Sequence, residues 1–265
     1  MLEVVIIAKN EAGNIEKCIQ SAKKVSNQIL LIDDFSDDDT AKIAENLGAR
    51  VIKRKFDNFA NQRNFANEKA NAKWLLHLDS DEIITDELAK SILNAVRLDE
   101  DAIYKFGRKN YAFNHNFYYG ILAKDEVARL FPNGKAKFSG AVHEKLVSNL
   151  PIMSLSGYLE HHTYKNWSQW LKKFDNYTSL WASSAFESGK KVSWGGAFTH
   201  AFGGFFKMAF IKKGLLDGKM GFTLCVLHFF YTFMKYLKLI ELWDKNENSN
   251  TWNNFNASRS WKRIW

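Results

Sequence analysis

The chain has 265 residues, 46% apolar and 25% charged, which is enough to bury a sizeable core in one or two domains. Its two cysteines, Cys18 and Cys225, lie too far apart in sequence to suggest a metal knuckle or redox pair and fit a reducing cytosol better than a disulfide framework. The net charge of +8 is uneven: residues 1–150 hold 22 Lys+Arg against 22 Asp+Glu, while residues 151–265 hold 15 against 7 and eight of the nine tryptophans.

Met1–Ala8 is apolar but runs straight into Lys9, Asn10 and Glu11, so it reads as a strand rather than a targeting segment. Further strands are expected at Gln28–Asp33, Ala49–Lys53 and Trp74–Leu78, with helices near Gly13–Lys24, Asp39–Leu47 and Phe59–Ala70 between them. Asp37, Asp38 and Asp39 look like helix caps and first-turn acids. Another helix follows Thr85 to about Leu98. This alternation predicts an α/β fold with a mainly parallel sheet flanked by helices. From Ala102 to about Tyr164 the pattern turns to strands and loops rich in Tyr, Phe and Gly.

Asn166–Glu187 then reads as a helix, with Trp167, Trp170, Leu171, Phe174, Tyr177 and Trp181 along one face, and Gly221–Trp243 as a second. The expected division is an α/β domain at 1–164, changing in pattern near residue 100, a helical extension at 165–243 and a polar, poorly ordered tail at 244–265. No run reaches the ~18 uncharged residues of a membrane span. The longest, Val192–Phe206 and Met220–Met234, have 15 each.

In a parallel α/β sheet, ligands gather beyond the carboxyl ends of the strands. Three polar clusters follow expected strands directly: Lys9-Asn10-Glu11, Asp33-Asp34 and Asp79-Ser80-Asp81-Glu82. They should share one rim. Asp79 and Asp81, two apart in a tight turn, can converge on a hard divalent cation that neutralises a leaving diphosphate.

The segments Val-Val-Ile-Ile-Ala-Lys-Asn-Glu (4–11), Leu-Ile-Asp-Asp-Phe-Ser-Asp-Asp-Asp-Thr (31–40), Asn-Gln-Arg-Asn (61–64) and Trp-Leu-Leu-His-Leu-Asp-Ser-Asp-Glu (74–82), in this order and spacing, resemble the family 2 glycosyltransferases of GT-A fold. The likeness continues more weakly through 127–132 and Gly-Ala-Val-His-Glu at 140–144, and is nearest to small bacterial transferases that extend lipopolysaccharide or lipooligosaccharide cores. The resemblance implies that Ala8, Asn10 and Glu11 line the nucleotide pocket, that Asp33 or Asp34 reads the base, and that Arg63 helps hold the nucleotide. It further implies that Asp79 reaches the ribose or a metal-bound water, and that Asp81 ligates Mg²⁺ or Mn²⁺. Without the resemblance, Arg63 would read as a solvated helix residue.

An inverting transferase also needs a general base. Glu144 of the His143-Glu144 pair is the candidate, with Asp125 and Glu126 as fallbacks. If this segment is a strand, His143 and Glu144 face opposite ways. His161, or else His162, could complete the metal shell.

The implied activity moves a sugar from a nucleoside-diphosphate donor, UDP before GDP, to a hydroxyl of a lipid-linked or lipopolysaccharide-core glycan. Lysines around the two apolar windows (Lys190, Lys191, Lys207, Lys212, Lys213, Lys219) suit a helix lying on an anionic membrane, hence a cytoplasmic enzyme peripheral on the inner membrane face. Nucleic acid is a poor fit, because arginine is scarce and the aromatics sit in apolar helices. Two competitors are a haloacid-dehalogenase-type phosphohydrolase using Asp79 and Asp81, with Ile83 where that motif has Thr or Val, and an inactive membrane adaptor.

Overall fold

The computed structural model describes residues 1–140, 144–164 and 166–260, without the side chains of 247–260. The chain forms two compact units, one of Met1–Tyr111 with Lys124–Thr163 and one of Ala112–Ala123 with Tyr164–Trp265.

The first unit is a βα succession: β1 (Leu2–Ala8), α1 (Ile15–Ala22), β2 (Ile29–Asp33), α2 (Thr40–Asn46), β3 (Arg50–Lys53), α3 (Phe59–Lys69), β4 (Trp74–Asp79), β5 (Glu82–Ile84) and α4 (Asp86–Leu98). Apart from β5, which the sequence reading did not include, these bounds follow it to within one or two residues. Strands β1 and β2 are almost wholly buried, which explains runs of Val, Ile and Leu without alternation. One sheet face (Val4, Ile6, Leu31, Leu76) packs on Ile15, Cys18 and Ile19 of α1 and Leu88 and Ile92 of α4. The other face (Val5, Leu30, Ile32, Leu75) packs on Ala60 and Ala66 of α3. At roughly 1.5–3 kcal/mol per buried aliphatic side chain, these two layers hold the sheet.

The acidic run at 37–39 divides its work. Asp39 precedes α2 but makes no side-chain cap, whereas Asp38 accepts from the Thr40 and Ala12 amides at 3.0 and 3.1 Å. The α2 start is thereby tied to the turn after β1.

The sheet continues with β6 (Ile103–Ala112), β8 (Asp125–Pro132) and β11 (Ile152–Tyr164) in the order β3-β2-β1-β4-β8-β6-β11-β5, while β9 (Lys137–Ser139) and β10 (Lys145–Val147) form a separate ribbon. β7 (His115–Asn116) lies in the second unit. The β3-β2-β1-β4 half is parallel, and β4–β8, β8–β6 and β11–β5 are antiparallel. The register sets Ala8 beside Asp33 and Ile7 beside Asp79, so the three polar clusters lie on one rim.

The second unit contains α5 (Trp167–Glu187), α6 (Trp194–Phe206), a π-turn at Lys207–Ile211, a 3₁₀ turn at Gly214–Asp217 and α7 (Gly218–Ser260). Three findings differ from the sequence reading. Ala112–Ala123 packs here, because Phe117 and Leu122 sit on Leu224 and Leu227. A separate helix, α6, follows the Ser193 cap, whose hydroxyl accepts from the Gly196 amide. Helix α7 continues past Trp243 to Ser260; the closing residues 261–265 lie outside the described residues. Within Gly214–Asn246 an 18-residue window reaches a mean hydropathy of 1.2, so this stretch has by length and composition alone the makings of a membrane-crossing helix, although it contains charged residues.

Candidate active site

All the candidate residues belong to the first unit. At the rim of β1 and β2, Lys9 Nζ donates to the carbonyls of Asp34 and Phe35 at 2.6 and 2.7 Å. The Asn10 amide donates to Ser36 Oγ at 2.9 Å and its side-chain carbonyl accepts from the Asp37 amide. Glu11 donates its amide to Thr40 Oγ1 and accepts from Asn14. Asn10 and Phe35 hold left-handed backbone, with φ of 55° and 49°. Non-glycine residues adopt it at a cost and tend to do so where function demands a particular shape.

Asp33 and Asp34 are separated by these bonds. Asp33 is completely buried and its carboxylate closes the turn by accepting from the amide and hydroxyl of Ser36. Asp34 is half-buried and one of its oxygens accepts from the Phe56 amide at 2.9 Å.

At the end of β4 lies an ion network. Asp79 Oδ1 accepts from Arg63 at 2.6 Å and Oδ2 from Arg129 at 2.9 Å. Glu82, with no exposure, accepts from the Asp79 amide at 2.9 Å, from Arg108 at 3.2 Å and from Arg129 at 3.4 Å. Burial penalises both carboxylates. For Asp79, Arg129 and Arg63 outweigh that penalty and hold the group well below the usual carboxylate range. For Glu82, burial prevails over Arg129 and pushes the carboxyl up.

Arg63 is only 1% exposed, which removes the solvated-face reading. Its guanidinium joins Asp79 to Glu144, whose Oε1 it meets at 3.2 Å, and it stands 5.4 Å from the Phe138 ring centre. His77, in β4 two residues before Asp79, is buried between Asn67 and Arg63 and stacks on Phe131; burial and then Arg63 and Arg129 hold its pKa well below the ordinary imidazole value.

Asp81 is oriented differently from Asp79. Strand β11 pairs with β5, setting His161 opposite Glu82, and the His162 amide donates to the Asp81 carbonyl. His161 Nε2 stands 3.4 Å from Asp81 Oδ2, and Nδ1 stands 2.7 Å from Asn110 Oδ1. Burial disfavours charge on His161, but Asp81, by hydrogen bond and by charge, together with Glu82, raises its pKa. Strand alternation sends His162 elsewhere, onto the Tyr111 ring and towards Glu160.

The two fallback bases form surface ion pairs, Asp125 with Arg108 at 2.7 Å and Glu126 with Lys105 at 2.9 Å. Glu144 instead stands at the Arg63–Asp79 cluster, with its side chain 17% exposed. His143 lies outside the described residues.

Sequence reasoning assigned no role to Arg108, Arg129, His77 or Asn110. A signal existed for Arg129: a lone cation inside the apolar strand Val-Ala-Arg-Leu-Phe needs a buried anion.

Comparison with known proteins gives the family. The family model described as Glycosyl transferase family 2 matches residues 3–143. The chain is 27% identical to an uncharacterized glycosyltransferase of Rickettsia prowazekii over 94% of this chain and 90% of that protein. It is 24% identical to the lipopolysaccharide core biosynthesis glycosyltransferase LpsC of Rhizobium meliloti, over 72% and 73% of the two chains. Among solved structures, S. aureus TarS is similar at 14% identity and a TM-score of 0.46, covering 61% of this chain and 36% of that one. Glucosyl-3-phosphoglycerate synthase from Mycobacterium tuberculosis, in complex with Mn²⁺, UDP and glucosyl-3-phosphoglycerate, is similar at 20% identity and a TM-score of 0.35, covering 42% and 44%. The family match spans more than half of the chain, from β1 through the strand that carries Arg129, and the chain belongs to glycosyl transferase family 2 as a glycosyltransferase.

Proposed function

We propose that the protein transfers a sugar, with inversion, from a nucleoside-diphosphate donor to a hydroxyl of a lipid-linked or lipopolysaccharide-core glycan. UDP is the favoured nucleotide and GDP the alternative. The observation that carries the reading is the Asp81–His161 pair at the end of β4, on the same rim as the β1 and β2 turns.

Among the described residues, no cluster of three or more His, Cys, Asp or Glu side chains forms a ready metal cage. A pair fits this chemistry better than a closed cage. Mg²⁺ and Mn²⁺ at phosphate-handling sites commonly take one or two protein ligands and leave the rest to phosphate oxygens and water. With Nδ1 directed at Asn110 Oδ1, His161 would offer its Nε2 lone pair to a cation beside Asp81 on giving up the proton it shares with that carboxylate. Asp81 and His161 would therefore hold the cation, which supplies charge neutralisation for the departing diphosphate. Asp79 would act beside them, towards the ribose or a metal-bound water, with its own orientation fixed by Arg63 and Arg129.

The nucleoside end would lie against Ala8, Asn10 and Glu11, with Asp34 the more accessible partner for the base and Asp33 shaping its turn. Glu144, oriented by Arg63, takes the acceptor hydroxyl proton. The acceptor oxygen then bonds to the anomeric carbon as the bond to the diphosphate breaks, and the nucleoside diphosphate leaves with that electron pair. The relative named for lipopolysaccharide core biosynthesis supports the acceptor class. The phosphohydrolase reading would need Asp79 as nucleophile, yet both of its oxygens accept from buried guanidinium groups.

The test is a donor screen: hydrolysis and thermal stabilisation with UDP- and GDP-sugars, with and without Mn²⁺. Metal-dependent stabilisation by one nucleotide, lost in Asp81→Ala, supports the reading. Generic phosphate-ester hydrolysis with no nucleotide response overturns it.

A further inference from the structure

Helix α6 reverses the usual rule of side-chain burial. Its smallest residues face inward: Ala197 and Ala201 have no exposure, and a Cβ at Gly204 would stand 3.1 Å from Thr232 Oγ1 on α7. Its largest face outward, with Trp194, Phe198, Phe202 and Phe206 each 50% exposed or more. A helix of an isolated soluble bundle does the opposite, burying aromatics and exposing polar groups.

The outward stripe has four-residue spacing, and in an α-helix of ~3.6 residues per turn such a stripe drifts around the axis. The π-turn Lys207–Ile211 opposes the drift, because its wider turn makes four residues fall short of a revolution. Phe210 thus stays near Phe206, ring centres 4.8 Å apart. Ile211 and Leu216 extend the exposed surface. Tyr118 and Ile121 add to it, since Tyr118 and Tyr119 are tied by their amides to Asp217, and Gly120 to the Lys212 carbonyl.

What borders this surface identifies what covers it. Helix α6 contains no charged residue, yet exposed lysines stand at both ends: Lys190 and Lys191 before it, and Lys207, Lys212, Lys213 and Lys219 after. An aromatic stripe rimmed by lysines complements an apolar layer bounded by anions. At 13 residues, α6 is about 20 Å long, too short for a hydrocarbon core of roughly 30 Å, so it would lie in the plane of the interface. Helix α7 is long enough to cross, but its Lys238 is engaged inside the unit by Asp175, Thr178 and Ser179, and its Lys235 stacks on Trp181. That makes α7 the support and α6 the docking face.

We propose that the Trp194–Ile211 face of α6 and its π-turn is an in-plane membrane anchor that inserts its aromatic stripe into a bilayer of anionic phospholipid. The proposal gives the membrane partner expected for a lipid-linked acceptor a specific face, and rests on the function above only in that respect.

The experiment is flotation of the full-length protein with vesicles of phosphatidylglycerol and phosphatidylcholine, or of phosphatidylcholine alone. Wild type should float with the anionic vesicles. Phe198→Ser/Phe202→Ser/Phe206→Ser, checked for native circular dichroism and melting, should partition roughly 100-fold less, since each half-exposed ring contributes roughly a fivefold step on insertion. Lys207→Gln/Lys212→Gln/Lys213→Gln changes only exposed side chains and should lose at least ~10-fold on anionic vesicles alone. Wild type that fails to float, or triple-serine protein that floats equally well, overturns the proposal. So does a concentration-dependent dimer in sedimentation that forms without vesicles and disappears in the serine variant, because a second copy would then cover the stripe. None of these readouts depends on sugar transfer, so failure of the donor screen and failure of the anchor are separate results.

Discussion

Replacing Arg129 by Met tests whether the ion network is the frame of the site. Arg129 is 9% exposed in its side chain and bonds Asp79 at 2.9 Å and Glu82 at 3.4 Å. Removing one partner of a buried pair costs about 3–5 kcal/mol. Asp79 keeps Arg63 and Glu82 keeps Arg108, so the lower end, about 3 kcal/mol, applies. At about 2–4 °C per kcal/mol, melting should fall by about 6–12 °C. Glu82 supplies a second readout. Its folded pKa already lies above 4.5 because of burial, and Arg129 is the main force opposing that rise. A carboxyl with a raised folded pKa is a source of instability once ionised: stability falls as pH rises from 4.5 through the folded value, and returns on acidification. Losing Arg129 raises that value further, so the variant should regain stability on acidification at a higher pH than wild type. Adding Glu82→Gln to Arg129→Met should remove that pH response and cost less than the two single changes combined, a coupling of about 1–3 kcal/mol. The measurement is melting by circular dichroism across pH for the four proteins of the cycle. Additive effects, or a melting change below about 1 °C for Arg129→Met, would refute the argument that these groups act as one network.

Asp81→Ala should weaken Mn²⁺-dependent nucleotide binding by ~100-fold or more in calorimetry, while melting in the absence of nucleotide stays near wild type. Asn110→Leu should weaken it by about 10–100-fold by removing the group that orients His161, with the histidine itself intact. Glu144→Gln should keep donor affinity and lower kcat by about 10²–10⁴-fold; retained turnover would remove Glu144 as the base. Gly157→Ala should destabilise by at least about 2 kcal/mol in urea denaturation. Gly157 has φ of 90°, and a Cβ there would stand 2.4 Å from the Leu88 amide nitrogen.

The βα half of the fold was legible because its signals are local. Buried parallel strands read as unbroken apolar runs, and Asn58 and Thr85 mark helix starts by accepting from the Asn61 and Leu88 amides. The rim also followed, since parallel pairing alone brings residues 8, 33 and 79 to neighbouring strand ends. Arg129 and Glu82 were not legible as partners, because 47 residues separate them and only the antiparallel placement of β8 beside β4 joins them. Helix α6 was legible as the apolar window Val192–Phe206 suited to a membrane surface, but which of its faces turns inward was not. Its outer stripe and inner small residues are all apolar, so the sequence offers no polar face from which to orient the helix.

The two acids of the Asp-Ser-Asp turn are equivalent in sequence, and their neighbours separate them. Asp79, the last residue of β4, is held by guanidinium groups on both oxygens, which favours its ionised form and fixes its position. Asp81, beyond the turn, meets an imidazole whose far nitrogen is already directed to Asn110. A divalent cation competes poorly with two guanidinium groups for one carboxylate, whereas a neutral imidazole and a carboxylate can accept it together. Under the proposed function the cation would therefore sit on the Asp81 side, with His161 as its second protein ligand. Arg63 and Arg129 fix Asp79, and the same Arg63 bonds Glu144, so in the proposed reaction one guanidinium would orient both the acid beside the cation and the base that meets the acceptor hydroxyl.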